Sequence, residues 1–248
     1  MQDIFAQTTH RPYPLPAEAW VMRQTWYNLL FAHWPVPVAA LRAQVPAPLE
    51  LDTFDGQAWL GVVPFGMRDV HPRYTFPVPG LSDFLELNVR TYVKVGGRPG
   101  VFFFSLDAAN LPAVIIARAW YRLPYFHARM TMRETGGGWI EYESVRVHGG
   151  APPAMFQGRY RPVGDVWLSA PGSLEAFLTE RYCLYTVADG GVYRGEIHHV
   201  PWPLQHAEAE IAVNTMAKPH GLRLEGPPHL LFARRIATVE WPIRRVVG

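Results

Sequence analysis

Lysine is almost missing from this chain: of 23 basic residues only Lys94 and Lys218 are lysine, and the rest are arginine. Chemistry that forms an imine on a lysine therefore has two candidate positions. Lys94 lies two residues before a Gly-rich turn, and Lys218 sits in the turn-like run Ala217-Lys218-Pro219-His220-Gly221. Both are expected at the surface as ordinary protonated amines. Cysteine is scarcer still. Cys183 alone excludes an internal disulfide and points to a reducing compartment. Within Glu180-Arg181-Tyr182-Cys183-Leu184-Tyr185 it reads as a small buried apolar side chain rather than a nucleophile. No stretch approaches the roughly 20 apolar residues of a membrane span, and Met1 to Trp20 has no signal-type apolar core. A soluble, cytoplasmic protein without membrane contact is expected. The net charge is only +2, and no arginine run exceeds a pair (Arg234-Arg235, Arg244-Arg245). A surface that tracks phosphates needs a concentrated basic stripe, so no nucleic-acid partner is expected. Phosphate-binding loops and Gly-x-Ser-x-Gly elbows are also lacking, and Gly136-Gly137-Gly138 and Gly190-Gly191 read as hairpin turns.

What is present is apolar, turn-rich sequence. The 49% hydrophobic and 18% charged content fits a globular protein with a large core, and 24 prolines with 21 glycines suit short strands and turns. With 248 residues, no composition break and no repeat, one domain spanning 1–248 is expected. Residues 1–20, with Pro12, Pro14 and Pro16, form an extended arm on it. A strand is expected from Thr25 to Trp34, a short helix from Pro35 through Val45, and a further strand from Gln57 to Met67. Asp69 to Leu81 reads as a long loop of the kind that covers sites. Helices are expected over Pro112 to Leu123 and, capped by Ser173, over Leu174 to Arg181. Strand-like pieces occur at Val101 to Asp107, Tyr125 to Glu134, Trp139 to His148, Tyr193 to Val200 and near Ile236 to Arg244. The sum is a mainly β, β-rich α+β fold: a strongly bent antiparallel sheet or cone-shaped barrel with a few short helices.

The clearest periodicity is Phe84 to Val95. Leu85, Leu87, Val89, Thr91, Val93 and Val95 point one way, while Glu86, Asn88, Arg90, Tyr92 and Lys94 point the other. A second polar row, Tyr125, His127 and Arg129, alternates with Phe126, Ala128 and Met130. If the two strands line one cavity, Glu86 becomes a candidate acid or base and Arg90 a candidate carboxylate holder; otherwise the rows face solvent. The stretch from residue 198 to the end holds His198, His199, His206, His220 and His229. Adjacent strand residues point to opposite faces, and no HExxH or paired-cysteine pattern is present, so no metal is expected. His33 beside Trp34 reads as a packed or capping histidine.

Three segments resemble acetoacetate decarboxylases. They are Ala40 through Asp52, Glu86 through Gly100, and the proline-led helix at Pro112-Ala113-Val114-Ile115-Ile116-Ala117-Arg118 running into Tyr121-Arg122-Leu123-Pro124. The resemblance implies a decarboxylase-like fold with an internal cavity and no cofactor. In that family a Tyr-Pro step precedes two adjacent lysines, the first of which forms a Schiff base with the substrate ketone. Those positions fall on Tyr125 and Phe126, and neither side chain can form an imine. The family's glutamate falls on Glu86, a second acidic position falls near Trp59, and an entrance arginine falls around Tyr27. A closer resemblance is to the uncharacterised YqjF-like bacterial family. It is carried by Leu30-Phe31-Ala32-His33-Trp34-Pro35, Glu86-Leu87-Asn88-Val89-Arg90-Thr91-Tyr92-Val93, Leu178 through Tyr185, and Ile197-His198-His199-Val200-Pro201-Trp202-Pro203-Leu204.

Two functions follow as expectations. One is an acid–base enzyme without a Schiff base, acting on a small keto or aromatic acid. Glu86 and Tyr125 would be its catalytic groups, with Arg90, Arg118, Asn88, His127 and Tyr92 binding substrate. The other is a non-catalytic binding or sensing protein that uses the same cavity for a small hydrophobic ligand. The resemblance and the edge strands of a bent sheet also imply a homo-oligomer.

Overall fold

Alternation along Phe84–Val95 produces the strand expected there, and the rest of the sheet is built around it in the computed structural model, which describes residues 4–247. The strands are β1 (Met22–Val36), β2 (Glu50–Leu51), β3 (Ala58–Pro72), β4 (Phe84–Val95), β5 (Arg98–Ala108) and β6 (Tyr125–Glu134). They continue as β7 (Ile140–Arg146), β8 (Met155–Trp167), β9 (Cys183–Ala188), β10 (Gly191–His198), β11 (Leu204–Asn214), β12 (His229–Glu240) and β13 (Arg244–Val247). Three short helices, α1 (Val38–Arg42), α2 (Leu111–Trp120) and α3 (Leu174–Thr179), lie between them.

The strands form one sheet in the order β13-β10-β9-β5-β6-β7-β8-β11-β12-β1-β3-β4-β2. Because β4 also pairs with β5, the run from β5 round to β4 returns on itself as a ring; β10–β12 pairing adds a second closure. The bent sheet expected from sequence is present, with one correction. It is not wholly antiparallel, since β5 runs parallel to both β6 and β9. The cause is local: the chain leaves β5 and crosses through α2 before entering β6, and parallel neighbours need such a crossover.

Both faces of β4 are buried, so its polar–apolar alternation separates two interiors rather than core from solvent. Leu87, Val89 and Val93 join the largest core with Leu30, Tyr142, Phe156 and Phe232. Glu86, Asn88, Arg90 and Tyr92 are buried on the other side, next to a smaller core of Phe31, Val63, Phe65 and Trp202. A bulge against β5 between Val89 and Arg90 bends the strand.

Several boundaries differ from expectation for identifiable reasons. Asn110 caps α2, its Oδ1 accepting from the Ala113 N–H at 3.0 Å. The helix stops at Trp120 because Arg122 takes φ 54° and Leu123 precedes a proline. Ser173 caps α3 as expected, its Oγ accepting from the Ala176 N–H at 3.2 Å, but the helix ends at Thr179. Strand β3 continues to Pro72, so the long loop covers 73–83. Strands β8 and β11 were not expected. They pair with each other and carry outward ion pairs Arg159–Glu210 and Arg161–Glu208, a charged face that hides the apolar period. The N-terminal arm packs Ile4, Phe5, Leu15 and Trp20 against Val239 and Trp241; residues 1–3 of the expected arm lie outside the described residues. No described helix is long and apolar enough to cross a membrane.

Candidate functional site

Residues directly opposed on neighbouring strands share a face, and this rule assembles the site. Glu86 is opposed by Phe65 of β3 and Ala108 of β5; Asn88 by Val63 and Leu106; Arg90 by Gly61. In the parallel pair, Leu106 neighbours Tyr125 and Ala108 neighbours His127. Five sequence-predicted residues, Glu86, Asn88, Arg90, Tyr125 and His127, therefore emerge on one face. Met67 carries the face on to Trp26 and Ile236, and the β1–β12 pairing extends it to Gln24 opposite Thr238 and to Glu240. Aromatic rings wall it: Trp202 stacks on Trp26 at 5.9 Å and meets Phe31 edge-on at 4.9 Å, and Trp26 meets Phe65 at 5.8 Å.

Two carboxyl groups dominate its electrostatics. The Tyr125 hydroxyl donates to Glu86 Oε2 at 2.9 Å, and Glu86 is only 3% exposed. Burial pushes its pKa up to about 8; the Tyr125 hydrogen bond works against that shift, while the charges of Glu240 and Asp107 reinforce it. Glu240 receives the Gln24 side-chain amide at 2.6 Å, and burial raises it to about 7. Burial and the Glu86 charge hold the Tyr125 phenol well above its usual value. At neutral pH the face thus presents a neutral phenol, a mostly protonated Glu86 and a Glu240 near its titration midpoint. Tyr125 and Glu240 are enclosed by protein, yet each keeps part of its accessible surface.

Polar atoms without partners mark the same face. Asn88 Oδ1, Arg90 Nε, the indole N–H groups of Trp26 and Trp202, and Thr238 Oγ1 are buried and unpaired. Each such group left dry costs about 1–3 kcal/mol.

Arg90 and Tyr92 have a second task. The Arg90 Nη2 donates to the Leu178 carbonyl at 2.9 Å, and the Tyr92 hydroxyl donates to the same oxygen at 2.7 Å, so both cap the end of α3. The Tyr92 oxygen lies 2.6 Å from His33 Nε2. With its proton given to Leu178, the hydroxyl accepts from His33 Nε2–H, which leaves Nδ1 as the bare, unpaired nitrogen. Burial, helped by the Arg90 charge, pushes His33 well below its ordinary range, so the ring is neutral. The packed histidine expected from sequence is what the fold contains. Gly61 permits this arrangement, since a Cβ there would meet His33 Nε2 at 2.8 Å and Arg90 Cγ at 3.3 Å.

Not every predicted residue joins the cluster. Arg118 is exposed on α2, donates to the Tyr125 carbonyl at 2.7 Å and lies over Phe126. Phe126 alternates with Tyr125, so Arg118 is on the outer side. There it lines, with Arg122, Phe102 and Phe104, a groove of about 460 Å³. Its expected place beside Glu86 is corrected: α2 turns Val114 inward and leaves Arg118 outside. His127 is half-buried, and its backbone N–H meets His148 Nδ1 at 3.2 Å. Arg129 is exposed. Lys94 is half-buried rather than free, 3.1 Å from Asp52 and 3.9 Å from Glu50; Lys218 is exposed in a short 3-10 turn. Among the described residues, no three His, Cys, Asp or Glu side chains converge as a metal site. Burial raises the Cys183 thiol, and its Sγ contacts the Pro99 carbonyl at 3.3 Å.

Sequence reasoning missed Gln24 and Glu240. The available signal was Glu240 itself, one acid inside the apolar run Ile236-Ala237-Thr238-Val239-Glu240-Trp241, which reads as a buried carboxylate once the strand is placed.

The geometry can now be set beside known proteins. Residues 23–237 match the model of the DUF2071 family, described as an uncharacterized conserved protein. The chain belongs to that family. It is 47% identical over 232 residues to the uncharacterized protein YqjF of Bacillus subtilis (strain 168), covering 93% of this chain and 95% of that one. Among solved structures, it is similar to the enduracididine biosynthesis enzyme MppR complexed with the condensation product of pyruvate and imidazole 4-carboxaldehyde. That match has a TM-score of 0.64 and 11% identity, and covers 92% of this chain and 89% of that chain. An acetoacetate decarboxylase from Legionella pneumophila matches with a TM-score of 0.62 and 13% identity over 100% of this chain and 96% of that chain. At these identities the likeness is one of fold: a largely β, α+β architecture with a ring-like sheet.

Proposed function

We propose that the Glu86 face of this DUF2071 protein lines an internal pocket for a small keto or aromatic acid. The protonated Glu86, held by the Tyr125 hydroxyl, donates there to the ligand's oxygen, and no Schiff base forms. The observation that carries the reading is the enclosed pair itself: a Glu86 carboxyl kept protonated by burial, hydrogen-bonded to Tyr125 on a face with the unpaired Arg90 Nε. A protonated carboxyl stabilises developing negative charge on a carbonyl oxygen without covalent chemistry, and the phenol bonded to it fixes its orientation. The ionisable partner for proton transfer is Glu240, poised near neutrality on the same face. Supporting the ligand class, MppR on the same fold holds a pyruvate condensation product. A binding or sensing role without turnover uses the same pocket, and its support is the aromatic wall of Trp26, Phe31, Phe65 and Trp202.

The test is calorimetric titration with a panel of 2-keto and aromatic carboxylates. Binding is expected to weaken in Tyr125→Phe and Glu86→Leu, and unchanged affinity in both variants sinks the site. Borohydride added with pyruvate should leave the protein mass unaltered. An adduct on Lys94 or Lys218 would restore imine chemistry. Turnover of a bound acid that fails in Glu240→Gln decides for the enzyme; binding with no turnover decides for the sensor.

A further inference from the structure

A surface helix normally turns its apolar stripe inward and its polar stripe to water. Helix α2 is apolar on its outer side as well. Val114 is fully buried and Ala117 and Tyr121 are half-buried, yet the outward stripes carry Leu111, Ile115, Ile116 and Trp120, exposed by 45, 59, 54 and 69%. The loop 73–83 does likewise, with Tyr74 and Phe76 exposed by 88 and 86% and Val78 and Leu81 by about half. Together these two segments hold eight of the fourteen exposed large hydrophobics among the described residues.

The segments are tied together. Asn110, the cap of α2, donates through Nδ2 to the Leu81 carbonyl at 3.0 Å. The loop is fixed internally as well: buried Ser82 accepts from the Val78 N–H at 2.8 Å, and the Val70 N–H bonds the Ser82 carbonyl. The apolar side chains are therefore presented by a hydrogen-bonded framework.

Taking about 200 Å² for a whole large side chain, these fractions amount to roughly 1,000 Å² of exposed, mostly apolar surface over the two segments together. A stable association needs about 800 Å² per partner, and the two segments together supply that much. The flanking charges are of both signs, with Arg68, Asp69 and Asp83 exposed by the loop and Arg118 exposed on α2. A two-fold axis through such a patch sets apolar surface on apolar surface and leaves opposite charges free to pair at the rim.

We propose that the face made by α2 and loop 73–83 is a self-association surface, covered by the same face of a second copy of this chain. The proposal does not depend on the ligand reading, although both segments feed the Glu86 face: Glu86 lies five residues after Leu81, and Tyr125 five after Trp120.

Sedimentation equilibrium on the full chain at micromolar concentration provides the test. The expected mass is twice 28.1 kDa. The paired substitution Ile116→Glu/Trp120→Glu should raise the dissociation constant by on the order of a hundredfold or more. Val166→Glu/Leu168→Glu, at exposed apolar positions elsewhere, should leave it unchanged. Should the charged pair misfold by circular dichroism, the milder Ile115→Gln/Ile116→Gln pair carries the same test and is expected to weaken the dimer at least tenfold. A monomeric wild type overturns the proposal, as does a dimer indifferent to both α2 pairs. So does a monomer that instead binds anionic phospholipid vesicles through this face.

Discussion

Replacing Glu86 by glutamine gives the sharpest account of whether that carboxyl is neutral in the folded protein. Its pKa is held at about 8 against an ordinary 4.5, chiefly by burial. Between those two values the folded chain binds one proton more than the unfolded chain at this residue. Stability from Glu86 is therefore fully present below about pH 4.5 and is lost as pH rises through 8. The slope is about 1.4 kcal/mol per pH unit, and the whole interval is worth about 5 kcal/mol. Glutamine has the shape and donors of the protonated acid and does not titrate. Glu86→Gln should thus lie within about 1 kcal/mol of the wild type near pH 5 and become the more stable protein above pH 8, by up to about 5 kcal/mol. Glu240, raised to about 7, lends both proteins a similar slope that largely cancels in the difference. Urea unfolding from pH 5 to 9 reads the difference directly. A difference that stays flat with pH, or a glutamine variant that is weaker at pH 9, refutes the argument, because Glu86 would then be ionised and well solvated.

The remaining predictions probe the groups around it. Tyr125→Phe removes the one hydrogen bond that pulls the Glu86 pKa down most; the pH dependence of stability should move upward, with about 1 kcal/mol lost where Glu86 is ionised. Gly61→Ala drives a methyl into His33 Nε2 and Arg90 Cγ and should cost about 1–3 kcal/mol in thermal or urea unfolding; a neutral result would mean that His33 has room to move. On the opposite face, Arg146 holds Asp107 at 2.6 Å with both side chains buried. Arg146→Met should cost about 3–5 kcal/mol, and adding Asp107→Asn should recover part of that loss, as a double-variant unfolding cycle would show.

How much of this was legible in the sequence depended on range. Strand β4 was plain from its period, and so was the polar row Glu86-Asn88-Arg90, because both rows of the alternation were chemically pure. Tyr125 was legible twice, in the alternation of Tyr125, His127 and Arg129 and in the resemblance of its turn to one known in another family. The carboxylate at Glu240 and its donor Gln24 escaped because their contact spans 216 residues of sequence, and pairing of β1 with β12 is not written in either strand alone. Arg118 was misplaced for a different reason. Its helix was expected, but which side faces the sheet is set by burial of Val114, and α2 has apolar residues on every side. Strands β8 and β11 were missed because their outward residues are ion-paired arginines and glutamates, a pattern that reads as solvated chain until the partner strand is known.

The tyrosine at position 125 changes more than the loss of a nucleophile. A lysine ammonium beside a buried glutamate would supply the counter-charge that lets the carboxylate ionise. A phenol supplies a hydrogen bond and no charge, so desolvation of Glu86 is left largely unopposed. The arginine of the same polar row, Arg90, spends one nitrogen on the Leu178 carbonyl, and no shift of Glu86 is attributable to it. On the proposed reading Glu86 is thereby a donor rather than a base, and the unpaired Arg90 Nε is a second donor on the same face. On that reading, a face so weighted favours ligands rich in lone pairs, such as carbonyls and carboxylates.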